Sequence, residues 1–165
     1  MWIYLLRHGV AEDRRDGGAD EERALTDEGV RKLRRAAEAW SELVETPAVI
    51  LSSPLVRARQ TAGVFAEAVG FDGAPDIDDA LVPHAAPALA TTRLESELLA
   101  GTRSVALVGH EPHLGLLLGA LLTGDARLAV PLKKGMLVAL ETGSPTNVLA
   151  GLRFALTQKA AGRLA

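Results

Sequence analysis

The sequence predicts an α/β fold, a three-layer sandwich in which a mostly parallel central sheet carries helices on both faces. Three observations support this. Three short apolar runs, Trp2 to Leu6, Ala48 to Leu51 and Ser104 to Val108, lack a helical period and are rich in strand formers, as buried strands are. Between them, apolar residues recur at steps of three and four, the spacing of a helix with one buried face. Helical connections favour parallel strands, so the carboxyl ends of all three should share one edge of the sheet.

Taken in order, the first run passes without a spacer into Arg7-His8-Gly9. Ligands of open α/β sheets bind just beyond the carboxyl ends of the strands, which makes this a position for chemistry. Val10 to Arg23 is almost all charge, glycine and alanine, including Asp13-Arg14-Arg15-Asp16-Gly17-Gly18, and reads as an exposed, mobile loop. Thr26 is placed to cap a helix, although Gly29 stands where a capping box would have an acid. Val30, Leu33, Ala37, Trp40 and Val44 form the apolar face of that helix. Arg31, Lys32, Arg34, Arg35 and Glu38 occupy the opposite face, read as solvated rather than as a binding patch.

Pro47 ends the helix, and the second strand runs into Ser52-Ser53-Pro54. Serine followed by proline signals a helix start, with the hydroxyl as cap and proline at the first helical position. Leu55, Ala58, Ala62, Phe65 and Val69 supply the buried stripe, and Gly70 closes the helix. Arg57 falls in its first turn, where a cation opposes the helix dipole; an anion held between them would explain the choice. Phe71 to Pro87 is rich in proline and aspartate, with Ile77 and Leu81-Val82 as short extended pieces. A helix is expected over Ala88 to Leu99, with Leu89, Thr92, Leu94 and Leu98 inward and Gly101 as its stop.

The third strand leads into Gly109-His110-Glu111-Pro112, and proline opens a central helix to about Leu122. Met136 to Leu140 and Val148 to Phe154 read as later, antiparallel strands, and residues 159–165 as a loose tail. The length of 165 residues fits one domain spanning 1–165.

Composition narrows the function. A net charge of −3 gives no case for nucleic acid, and the absence of cysteine excludes disulfides, thiolate catalysis and cysteine-ligated metals. There is no basic start followed by a long apolar stretch, and Leu114 to Leu122 is too short to span a bilayer. A cytoplasmic protein without membrane contact is expected. No long apolar surface stretch asks for a partner, so a monomer is expected too.

Arg7 with His8, Ser53 with Arg57, and His110 would then meet in one crevice. Two arginines, two histidines and two helix amino termini suit a tetrahedral dianion, because guanidinium groups offer forked donors to phosphate oxygens. Metal binding by the histidines is the rival. Neighbouring arginines would repel a cation, and no paired carboxylate–histidine spacing supports one.

Three motifs stand in order: Arg7-His8-Gly9, then Ser53-Pro54-Leu55-Val56-Arg57-Ala58-Arg59-Gln60-Thr61, then Gly109-His110. With Leu25-Thr26-Asp27-Glu28-Gly29 they resemble the histidine phosphatase (phosphoglycerate-mutase-like) superfamily. The short length and the Arg23 to Thr26 segment most resemble its small SixA-type phosphohistidine phosphatases. The resemblance implies that His8 is the nucleophile, becoming a phosphohistidine that water hydrolyses. It implies that Arg7, Arg57 and His110 grip the phosphoryl oxygens, that Gly9 lets the backbone pass close to the bound group, and that neither metal nor organic cofactor is needed.

One departure matters. Many members carry a glutamate that protonates the leaving oxygen, but the corresponding stretch here is Leu81-Val82-Pro83-His84. An imidazole, with a reference pKa of about 6.5, leaves far more readily unassisted than an alkoxide. A phosphoramidate substrate is therefore favoured; Asp79, His84 and Glu111 read first as surface or loop residues, with the role of substitute donor as the alternative. His113 reads as structural. The chain has little spare length for a cap, and an open crevice admits a phosphohistidine carried on another protein. The expected partner is thus a phosphorylated protein of the histidine-phosphotransfer type. The alternatives are a phosphomonoesterase or mutase acting on metabolites, and an inactive module that only docks phosphate.

Overall fold

A computed structural model describes residues 1–13, 19–144 and 146–164. Residues 14–18, where part of the mobile-loop expectation falls, lie outside the described residues. Six strands form one mixed sheet: β1 (Trp2–Arg7), β2 (Val49–Ser52), β3 (Asp76–Ile77), β4 (Ser104–Gly109), β5 (Leu137–Glu141) and β6 (Gly151–Leu156). Their order across the sheet is β3-β2-β4-β1-β5-β6. β1, β2, β3 and β4 run parallel; β5 is antiparallel to β1, and β6 to β5.

Five helices cover it: α1 (Asp27–Leu43), α2 (Val56–Ala68), α3 (Pro87–Leu99), α4 (His113–Thr123) and α5 (Gln158–Leu164). Alternation along β1 divides the core. Tyr4 and Leu6 pack with Leu33, Trp40, Phe65 and Ala161 of α1, α2 and α5. Ile3 and Leu5 face Ala90, Leu94, Leu114 and Leu117 of α3 and α4 on the other side. The expected three layers are therefore present. Among the described residues, no helix is long and apolar enough to cross a membrane.

Three expectations need correction. Ser53 does not cap α2: its N–H donates to the Val108 carbonyl (3.0 Å), prolonging the sheet ladder, and the helix starts at Val56. Residues 159–164 are not a loose tail. They belong to α5, whose Ala161 is fully buried against α1 and whose start is tied by the Ala160 N–H to Thr157 Oγ1 (3.2 Å). In α3, Ala90 and Leu94 are the buried positions while Leu89 faces solvent, so the inward face is rotated from the one expected.

Thr26 caps α1 as expected, accepting from the Gly29 N–H at 2.9 Å. The reason for glycine at 29 is close approach. A Cβ there would stand 2.1 Å from the Val10 carbonyl oxygen, which also accepts from the Thr26 N–H. Alanine would add about 1 kcal/mol of helix propensity, but the clash is with backbone that cannot yield cheaply. Gly29→Ala is expected to destabilise by roughly 1–3 kcal/mol, read as a lower melting temperature. A raised melting temperature would show that Val10 does not press on this helix.

Candidate active site

The parallel pairing of β1 with β4 sets Arg7 opposite Gly109, and the His8 N–H donates to the Gly109 carbonyl at 3.0 Å. β2 lies on the far side of β4. The residues just past three strand ends are thereby brought to one place. The His8 and His110 rings lie 5.0 Å apart between centroids, tilted by 51°. His110 Nε2 meets Ser53 Oγ at 2.9 Å. His8, Arg57 and His110 are all buried.

His8 Nδ1 lies 2.7 Å from the Gly9 carbonyl oxygen. A carbonyl only accepts, so Nδ1 carries the hydrogen and Nε2 keeps its lone pair. Gly9 is held in turn, its N–H donating to Thr61 Oγ1 (3.1 Å) while the Thr61 hydroxyl donates to the Arg57 carbonyl (2.7 Å). The four-residue step from Arg57 to Thr61 thus fastens the backbone beside His8 to the helix that bears Arg57. Gly9 itself has ordinary φ. Its need for glycine is spatial, because a Cβ would stand 2.7 Å from Leu33 Cδ1.

Arg7 is fixed through a guanidinium N–H donated to the Leu132 carbonyl at 2.6 Å. The Leu132 N–H donates to Glu111 Oε1 at 3.0 Å, so Glu111 braces the segment that holds Arg7. Asp79 and His84, the other substitute donors considered above, are exposed. His113 is buried, and neither of its ring nitrogens has a partner among the described residues.

Asp20, inside the stretch read as a loop, is the residue that the sequence did not single out. Its Oδ2 lies 2.8 Å from Arg57, its carbonyl accepts from Arg57 at 2.6 Å, and its Oδ1 is 2.6 Å from Arg23. Partial burial works against the charge, but the two arginines hold this carboxyl below its ordinary pKa. Arg7 Nε, Arg57 Nε and His110 Nδ1 are buried without a partner among the described residues. Unmet buried donors of this kind are what a bound oxyanion would satisfy. No group of three or more metal-ligating side chains occurs among the described residues.

Burial first, and then the charges of Arg57 and Arg7, lower the His8 pKa from 6.5 to about 4, with the Gly9 carbonyl pulling the other way. Burial likewise takes His110 to about 3, helped by His8 and Arg57 and opposed by Asp20. Both rings are therefore neutral at pH 7.

Residues 3–82 match the family described as Histidine phosphatase superfamily (branch 1). A protein from Picosynechococcus, itself uncharacterized, is 34% identical over 144 residues, covering 87% of each chain. The chain belongs to the histidine phosphatase superfamily. Phosphohistidine phosphatase SixA of Escherichia coli is 28% identical over 127 residues, covering 76% of each. The solved structure of the protein histidine phosphatase SixA complexed with tungstate shares the fold with a TM-score of 0.85 at 22% identity, covering 96% of this chain and 98% of that one. A putative α-ribazole-5′-P phosphatase from E. coli also shares it, with a TM-score of 0.71 at 17% identity over 96% of this chain and 98% of its own. The superfamily's hydrolase chemistry thus applies to this chain, and its fold serves both protein and small-metabolite phosphatases.

The pH dependence follows from the two rings. The unfolded chain takes up these protons near pH 6.5, whereas folded His8 resists protonation until about pH 4. Stability is therefore complete above pH 6.5 and is lost as the pH falls towards 4, by roughly 3 kcal/mol for His8 alone. Nitrogen-15 spectra of the imidazoles between pH 8 and 5 are expected to show both rings neutral throughout. Titration of either near pH 6.5 would contradict the buried site.

Proposed function

We propose that this protein is a metal-independent phosphatase that removes phosphate from phosphohistidine on a protein by way of a phosphohistidine on His8. One observation carries the proposal: the Gly9 carbonyl takes the Nδ1 hydrogen of His8, leaving Nε2 as a free base within reach of the charges of two arginines. As Nε2 bonds to phosphorus, the P–N bond to the substrate ring, which carries a proton on its other nitrogen, breaks; the released nitrogen keeps the electron pair and the ring leaves as neutral imidazole. Positive charge grows on the His8 ring, and the Gly9 carbonyl is already placed to stabilise it. Arg7, Arg57 and His110, through its free Nδ1, take the equatorial oxygens. For Nδ1 to donate, the Ser53 hydroxyl must donate to His110 Nε2, which their contact allows. Water then attacks phosphorus in line, the P–N bond to His8 breaks, and inorganic phosphate leaves.

The choice of a phosphoramidate over a phosphomonoester rests on the leaving group. Asp20 stays ionised between its arginines, Glu111 is committed to the Leu132 amide, and Asp79 and His84 face solvent. None of these is placed as a general acid, and an imidazole needs one least. Tungstate, in the SixA structure, is a tetrahedral oxyanion of the kind these donors would hold. A phosphorylated protein is accordingly the proposed partner, and a small phosphorylated metabolite the second reading.

Brief incubation with a phosphorylated histidine-carrier domain is expected to leave an acid-labile, base-stable phosphoryl group on His8. His8→Ala should abolish both label and turnover, and Arg57→Ala should lower kcat by about 100- to 1000-fold. Sugar or nucleotide phosphates turned over faster than the phosphocarrier would favour the second reading. The absence of any label on His8 would refute the covalent route.

A further inference from the structure

Although the chain is net acidic at −3, six of its 18 Lys and Arg residues converge on one face. Lys32 and Arg35 of α1, Lys133 and Lys134 before β5, and Lys159 and Arg163 of α5 line a groove of about 670 Å3. All six are exposed, and among the described residues no acidic side chain lines the groove. Lys32 pairs with Glu28; among the described residues the other five have no carboxylate within ion-pair distance. Arg34, from the same run of α1, lies instead in a separate hollow beside Glu38 and Glu67. The basic stretch of α1 is thus divided by the fold: one part lies among acids, and the other joins cations distant in sequence.

Gly162 of α5 faces the Arg35 stem, where a Cβ would stand 3.4 Å from both Arg35 Cγ and Cδ, in ordinary contact. Gly135, at φ +65°, turns the chain from the groove into the catalytic crevice, and its N–H lies 3.1 Å from both the Arg7 and His8 carbonyls. Lys134, one residue earlier, is among the charges acting on the His8 ring. The groove and the crevice therefore share a wall.

Unpaired like charges repel, and holding them together weakens the fold unless a partner neutralises them. One phosphoryl group does not account for them, because Arg7 and Arg57 already serve it. We infer that this groove docks an acidic face of the phosphohistidine-bearing protein, an inference that rests on the function proposed above. The rest of the surface, negative on balance, repels such a partner, so the groove also orients its approach.

The test joins binding to turnover. A short poly-L-glutamate peptide is expected to bind the wild type, weaken with added salt, and be lost in the exposed pair Arg35→Glu/Arg163→Glu. That variant should lose about tenfold in kcat/KM on an acidic phosphocarrier, mainly through KM. Its kcat/KM on free phosphohistidine should not change. The milder Arg35→Gln/Arg163→Gln pair should fall between, which keeps the test informative if reversal harms folding. Equal peptide binding by wild type and variant, or tighter binding of a single-stranded oligonucleotide than of polyglutamate, overturns the inference. Polyglutamate binding that is lost in the variant, with no turnover of any phosphocarrier, would refute the proposed substrate and leave the acidic-partner groove standing.

Discussion

The in-register parallel pairing of β1 with β4, from Trp2 opposite Ser104 to Arg7 opposite Gly109, is the constraint on which the site depends. A slip of one residue would exchange the two faces of β1, burying Tyr4 and Leu6 where Ile3 and Leu5 belong. It would also move His8 away from Gly109, whose carbonyl anchors its backbone, and so from the His110 ring beside it. Because both faces of β1 and β4 are apolar and covered, the register that fills the core is the one that brings His8 beside His110. Stability and chemistry are fixed by the same ladder.

Electrostatics at that edge follow from burying bases beside cations. Two imidazoles near two guanidiniums lose water and meet like charge, so neither takes up a second proton at neutral pH. The His8 Nε2 lone pair is thereby available, and the cost of burying the ring falls on stability at low pH. The carboxylate of Asp20 offsets part of the arginine charge and is kept ionised by doing so. A dianion entering the crevice would meet donors left unmatched at Arg7, Arg57 and His110, which is why an oxyanion suits the site better than a cation.

Beyond the crevice, charge is arranged on a larger scale. Residues from α1, the segment before β5, and α5 are far apart along the chain but adjacent in space, and the groove that they line opens beside the His8 turn. Charges of one sign around such a mouth act on encounter as well as on affinity.

The strands, the helix periods and the residues at the strand ends were legible in the sequence because each is a local pattern: an apolar run, a step of three or four, a polar group where the run stops. Arg7, His8, Arg57 and His110 were singled out in this way as candidates. What the fold alone decided is what residues do to distant partners. Ser53 carries the signature of a helix cap, yet its amide extends the sheet and its hydroxyl meets His110. At Gly29 and Gly9 a Cβ would meet Val10 and Leu33, which approach from other segments. The last residues look like a tail, but their small side chains dock on α1. Asp20 and the divided basic face of α1 acquire meaning only from Arg57, Lys133 and Lys159, which lie dozens of positions away. Periodicity reports how a segment meets water or core, whereas hydrogen bonds and charge pairs depend on which segments meet, and that is set by packing.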